Sequence, residues 1–269
     1  MATHEDAASQ HGADAPVPRR PRRRARRVWA VVGGGLGAVV VVAVVAFVVW
    51  ALSAYQADAS TWQAVRADER ISVATDGDLV VMTPSGESDG TGLVFFAGAR
   101  VDPDAYAATF TDVVAAGSSV VIVRPPLNLA ILETRAFDDF TAEVPGVERW
   151  TVGGHSMGGV RACGYAQDPE VTALILLASY CSEDVSGRSD LAVLTVSGSE
   201  DALATADKIE AAADLLPRDA EFVRIDGASH AQFGAYGPQD GDGVPTISNE
   251  RARELISQTL VEFLSSVNS

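Results

Sequence analysis

The stretch TVGGHSMGGV, residues 151–160, sets Ser156 between Gly154 and Gly158. The Gly-x-Ser-x-Gly pattern alone is too short to separate a nucleophile on a sharp turn from a small residue in a glycine-rich bend, so its context decides. The preceding VERWTVGG reads as a strand and the following MGGVRACGYAQD as a helix. A serine on a strand-to-helix turn is the setting of a nucleophile elbow, where small flanking residues allow the tight bend. The fold class then follows from the rest of the chain.

From Ile71 onward, short β-rich runs alternate with helical segments, the pattern of an α/β domain with a mostly parallel sheet flanked by helices. ISVATDGDLVVMTP carries Asp76-Gly77 between two apolar-alternating arms and predicts a leading hairpin. TGLVFFAG, SSVVIVRPP, VTALILLAS, LAVLTVSG and AEFVRIDG predict further strands. Helices are expected over residues 104–116, over the amphipathic LNLAILETRAFDDFTAEV, over residues 204–216, and over ISNERARELISQTLVEFLSSV. Ser248 or Asn249 would cap this last helix, with Leu255, Leu260 and Phe263 on its apolar side. Only YCSEDVSGRSD joins LILLAS to DLAVLTV, too short for a sizeable lid over the site.

A serine hydroxyl needs a base, and the base needs an orienting acid. Beyond the apolar N-terminal run the chain has two histidines, His155 and His230. His155 lies inside the elbow and would point away from the hydroxyl. His230, in IDGASHAQFG just after the last predicted strand, is the expected base. The acid should fall between serine and histidine at a strand end, where Asp201 is the first choice and Glu200 the reserve; helix capping is the structural alternative for Asp201. The order Ser156, Asp201, His230 is that of an α/β hydrolase triad. Backbone N–H groups of Met157 and Ala99 are expected to form the oxyanion hole, with Gly98 or Arg100 as alternatives to Ala99. Arg124, at a strand's C-terminal end, is a candidate substrate-binding residue, with loop bracing as its structural alternative. Phe233 and Tyr236 are pocket candidates that could equally pack their loop onto the core. QDGDG lacks the rest of a calcium loop, so no metal site is expected. Acyl transfer through serine requires no cofactor.

FFAGARVDPDAY, VVIVRPPLNLAIL, GGHSMGG, GSEDALAT and HAQFGAYGPQDGDGVPTIS together resemble the α/β-hydrolase superfamily, and within it the small fold-5 family akin to dienelactone hydrolases. The resemblance covers residue 71 to the end. It implies a serine-dependent hydrolase fold and supports Ser156, Asp201 and His230 one by one. Dienelactone hydrolases often use a cysteine nucleophile, so the serine here argues against carrying over their substrate. The expected reaction is cleavage of an ester or related acyl bond in a small or lipid-like substrate. Thioester or peptide cleavage, and a non-catalytic envelope-binding domain on the same fold, are the alternatives.

The N-terminal part differs from the rest. Residues 1–27 are polar and then basic, with seven arginines in PRRPRRRARR, and read as a disordered tail. Residues 28–52, VWAVVGGGLGAVVVVAVVAFVVWAL, contain no charge and are long enough to cross a membrane. The arginines place the tail in the cytoplasm and the hydrolase domain outside, making a single-pass membrane protein. A cleaved signal peptide, with a cut in ALSA, is the rival, although the apolar run is long for one. Gly33 and Gly37 have the spacing of close helix approach, which does not by itself imply a dimer. Residues 53–70 read as a stalk. After residue 52 the chain carries 13 basic and 33 acidic side chains and no basic stripe, which argues against nucleic acid as a partner. For Cys163 and Cys181 a disulfide and two free buried thiols both stay open: outside the cytoplasm the bond is permitted, but nothing in the sequence requires their Cα atoms to be close.

Overall fold

The computed structural model describes residues 22–267, with side-chain surroundings from residue 35 onward. The tail before Arg22, and the surroundings of Gly33, lie outside the described residues. The chain divides into two compact units, residues 1–47 and 48–269.

The first unit is dominated by helix α1 (Arg22–Leu52), whose last turn belongs to the second. The helix begins within the arginine run, ahead of the expected residue 28. Between Gly35 and Leu52 it is long and apolar enough to span a membrane, and its large side chains, among them Leu36, Val42 and Phe47, are exposed.

The second unit carries an eight-stranded sheet of order β1-β2-β4-β3-β5-β6-β7-β8. Its strands are β1 (Ile71–Asp76), β2 (Leu79–Pro84), β3 (Thr91–Phe96), β4 (Ser119–Val123), β5 (Arg149–His155), β6 (Val171–Leu177), β7 (Ala192–Gly198) and β8 (Glu221–Ile225). β1 and β2 form the expected hairpin about Gly77, which turns at φ 51°; β2 runs antiparallel to β4 and every later pairing is parallel. The two faces bury separate cores. On one, Phe95, Tyr106, Phe110 and Ile175 meet α3 (Ala107–Ala115) and α7 (Asn249–Val267); on the other, Phe96, Phe140, Val152 and Leu176 meet α5 (Met157–Tyr165). Ser248 caps α7 through a bond from the Arg251 N–H, as expected, and Leu260 and Phe263 are buried.

Two expectations need correction. Residues 53–70 are not a free stalk. They contain α2 (Ala59–Arg66), capped by Asp58, with Val65 in the core and Tyr55 paired to Val101 in a short parallel bridge. The long helix expected after Pro126 is absent: residues 126–128 and 130–132 form 3-10 turns, and α4 (Asp138–Thr141) is one turn long. Leu127 and Asn128 sit at φ 55°, outside helical space. The buried Glu133 accepts the N–H groups of Thr134 and Arg135 and its carbonyl accepts from Arg161. These two local side-chain bonds and the long-range one from Arg161 replace the intrahelical bonds that the apolar periodicity suggested.

The pairing that the sequence left open is a disulfide. Cys163 on α5 is bonded to Cys181 in the loop after β6, with Cα atoms 5.6 Å apart. The sequence could not place these atoms, because the loop's return path is set by the sheet. The bond closes a loop of sequence separation 18, for which chain entropy gives about 3 kcal/mol of stabilisation. Cys163→Ala/Cys181→Ala is expected to lower unfolding stability by roughly 2–4 kcal/mol, read as a shift of the urea midpoint at constant slope. An unchanged midpoint would contradict the assignment. α6 (Ala206–Ala211) completes the helices and is shorter than the predicted 204–216, with a 3-10 turn continuing it over Ala213–Leu215.

Candidate active site

Residues following β5, β6 and β7, the loop after β8 and Ile131 from the segment after β4 line one cleft. Ser156 joins β5 to α5 at φ 52°, ψ −123°, a conformation that a non-glycine residue adopts only when its surroundings enforce it. Its N–H bonds to the Leu177 carbonyl at 3.0 Å, and its own carbonyl accepts from Ser179 Oγ at 2.7 Å. The flanking glycines are steric necessities. A Cβ on Gly154 would strike the Gly158 backbone, and one on Gly158 would strike the Phe96 carbonyl oxygen. The second contact brings the start of α5 against the loop after β3.

That loop contains Gly98, Ala99 and Arg100. The Gly98 N–H donates to the Tyr106 hydroxyl, and the Arg100 N–H to the Asn128 carbonyl. Both alternatives to Ala99 are therefore committed elsewhere. Among the described residues, neither Ala99 nor Met157 spends its N–H on a protein acceptor.

His230 follows β8 and is 1% exposed. Its Nδ1–H donates to Asp201 Oδ2 at 2.8 Å, while Asp201 Oδ1 accepts the N–H groups of Leu203 at 2.8 Å and Ala204 at 2.7 Å. Asp201 thus serves both readings, as partner of the histidine and as a turn cap. Glu200 instead accepts from Ser199 Oγ. His230 Nε2 is buried without a hydrogen-bond partner among the described residues, and it lines the same cleft as Ser156. The serine–histidine bond is not closed; such bonds often tighten only with substrate in place.

The cleft has a volume of about 330 Å³. Beyond Ser156, Met157 and His230 its walls are mainly Ile131, Val160, Tyr180 and Leu203. None of the three residues expected to bind substrate is in these walls. Arg124 is held by Asp102 and Asp104, both at 3.0 Å, and braces the loop after β3. Phe233 is fully buried and stacks on His155, and Tyr236 packs against Tyr55 and Tyr106. Both anchor their loop to the core. Ile131 escaped the sequence reading because its segment was taken for a helix.

Asp242, from the QDGDG stretch, is the other residue that sequence reasoning missed. Its carboxylate accepts the N–H groups of His230 at 3.1 Å, Ala231 at 2.8 Å and Gly243 at 2.7 Å. It fixes the backbone that carries the histidine, and a run of turn-forming residues gave no sign of that partner.

His155 lies behind His230, ring centroids 4.5 Å apart, and is fully buried. The Tyr106 hydroxyl, already accepting from Gly98, sits 2.9 Å from His155 Nδ1. Donation from tyrosine to Nδ1 leaves the proton of the neutral ring on Nε2, which is buried without a hydrogen-bond partner among the described residues. Burial, and then the charge of His230, lower the His155 pKa well below 6.5. The unfolded chain therefore binds a proton that the folded chain refuses. This contribution is fully present above the unfolded value and is lost as pH falls below it, at up to about 1.4 kcal/mol per pH unit. His155→Gln is expected to remove that one-proton slope from stability between pH 6.5 and 5. Parallel wild-type and variant curves would contradict it.

The fold and this site define an α/β hydrolase. The family model described as "Alpha/beta hydrolase family" matches residues 92–254, and the chain belongs to that family. Solved structures agree on the fold. A predicted CIB-like hydrolase from Thermoplasma acidophilum is 16% identical with a TM-score of 0.52, covering 72% of this chain and 98% of its own. An esterase from Pyrobaculum calidifontis is 17% identical with a TM-score of 0.52, covering 78% and 91%. No curated protein sequence matches the chain.

Proposed function

We propose that the protein is a membrane-anchored serine esterase acting outside the cytoplasm. One observation carries the catalytic part: the buried His230–Asp201 pair at 2.8 Å, with His230 Nε2 unpartnered among the described residues and His230 lining the cleft that holds Ser156. Ser156 Oγ attacks the ester carbonyl carbon while its proton passes to His230 Nε2. Asp201 holds the ring in the required tautomer and stabilises the imidazolium. The N–H groups of Met157 and Ala99 take the oxyanion. The intermediate collapses, the C–O bond breaks, and the alcohol leaves with the proton from His230. Water, deprotonated by His230, then releases the acid from the acyl-serine. The largely apolar walls favour an acyl group over a charged one.

The uncleaved anchor is supported by the folding of its distal end. Ala51, inside the rival cleavage stretch, is fully buried, and the Ser53 carbonyl accepts from Arg100 at 2.6 Å. The disulfide suits an oxidising compartment, in keeping with the arginines on the cytoplasmic side. Turnover of p-nitrophenyl acetate by the full chain, lost on Ser156→Ala, tests the esterase reading. Protease shaving of intact cells tests the topology: the hydrolase domain should be accessible, and its protection would overturn the outward orientation.

A further inference from the structure

The chain leaves the apolar helix at a place that is tied directly to the cleft. Arg100, the residue after Ala99, donates Nη2–H to the Ser53 carbonyl at 2.6 Å. Its guanidinium lies 4.7 Å from the centroid of the Trp50 ring and 5.5 Å from that of Tyr55. Its carbonyl accepts the Tyr55 N–H at 2.6 Å. Asn128 Nδ2 donates to the Ala51 carbonyl at 3.3 Å, and its own carbonyl accepts the Arg100 N–H at 2.7 Å. The loop after β3 and the loop after β4 are thus joined to each other and to residues 51–55. Arg100, Leu127 and Asn128 all adopt positive φ, 57°, 55° and 55°, so backbone strain is concentrated in this clasp.

From Asn128 the second loop runs directly into the cleft. Ile131 is 56% exposed and lines it together with Ser156 and His230; Leu132 is 41% exposed and does not. Three residues of chain span at most about 11 Å. An interfacial apolar group sits about 5–10 Å into the boundary between headgroups and acyl chains. Ile131, on the cleft wall, therefore lies within about 11 Å of the residue that is bonded to the end of the apolar run, and the exposed Leu132 follows it in the chain.

Resting on the anchored-esterase reading, we propose that the cleft takes its substrate from the membrane that holds the chain. Its substrate class is then an acyl ester residing in the lipid layer. Leu132, outside the cleft walls, contacts the membrane surface, and Ile131, on the cleft wall, guides the acyl chain to Ser156.

The test uses the full chain reconstituted in phosphatidylcholine vesicles, with two probes sharing one leaving group. 4-Methylumbelliferyl acetate reports catalysis from bulk water, and 4-methylumbelliferyl palmitate is dissolved in the bilayer. The wild type is expected to hydrolyse palmitate at least tenfold faster when ester and protein share vesicles than when they are in separate ones. Leu132→Asp should lower the shared-vesicle rate about tenfold and leave acetate turnover within twofold, which also reports that the variant is folded. Leu132→Ser, a milder change, should give the same direction and answers the question if the aspartate variant does not fold. Equal palmitate rates in shared and separate vesicles, or palmitate turnover indifferent to both variants, would overturn the proposal while leaving the esterase reading standing. Failure of the chain to float with vesicles would overturn the anchor, and flotation without acetate turnover would overturn the esterase; either removes this proposal with it.

Discussion

Ser156→Ala is expected to lower kcat for a simple ester by up to about 10⁶-fold while leaving the fold intact. Ser156 is held by backbone bonds, its N–H to Leu177 and its carbonyl to Ser179, and its side chain adds nothing to them. Alanine accepts the same backbone with similar strain, and removes only the oxygen. The thermal midpoint should therefore move by a few degrees at most. KM should change little, because the cleft walls at Ile131, Val160 and Leu203 are untouched. Turnover in the variant above about 1% of wild type would remove Ser156 from the mechanism.

The second large effect is Asp201→Asn, expected to cost about 10⁴ in kcat, the scale seen when a triad carboxylate becomes an amide. The geometry explains why the substitution cannot be absorbed. Asp201 accepts on both oxygens, from two backbone N–H groups on Oδ1 and from His230 Nδ1–H on Oδ2. An asparagine has one acceptor oxygen. If that oxygen keeps Leu203 and Ala204, the amide NH₂ faces His230 Nδ1 and drives the imidazole proton to Nε2. The ring can then no longer accept the serine proton. If the amide flips, its NH₂ opposes two N–H donors and the turn after β7 loosens. Asp201→Asn with retained stability and a kcat within tenfold of wild type would mean that another group orients His230.

The central part of the fold was legible because each element carried its own signal. A buried strand, a serine between glycines and a helix in immediate succession admit few other arrangements. The spacing from β7 to Asp201 and from β8 to His230 then follows from the parallel sheet. The chain pairs the histidine with Asp201, as expected, and gives Glu200 a separate partner. That the Gly98 and Arg100 N–H groups are bonded elsewhere rests on tertiary hydrogen bonds that no local pattern encodes.

The failures share a cause. Residues 127–144 have helical periodicity, but the Thr134 and Arg135 N–H groups turn to the Glu133 carboxylate, and the Glu133 and Asn128 carbonyls accept from Arg161 and Arg100 across the fold. Arg124 was correctly placed at a strand end, yet Asp102 and Asp104 return to it through the loop after β3 and hold it away from the cleft. Phe233 and Tyr236 lie close in sequence to His230 but are buried beside His155 and Tyr55 and do not line the cleft. Asp242 looked like part of a polar loop and proves to be the clamp on the histidine backbone. In each case a long-range polar or packing contact, invisible to pattern, overrode the local reading.

The most direct test of the account is covalent. The full chain is treated with a fluorophosphonate, digested, and the modified residue located by mass spectrometry, with His230→Ala run in parallel. The account predicts a single phosphonylated peptide containing residues 151–160 with the adduct on Ser156, and labelling slowed by orders of magnitude in the histidine variant. A folded chain that takes no label, or takes it on another residue, would contradict the claim that Ser156 is the nucleophile.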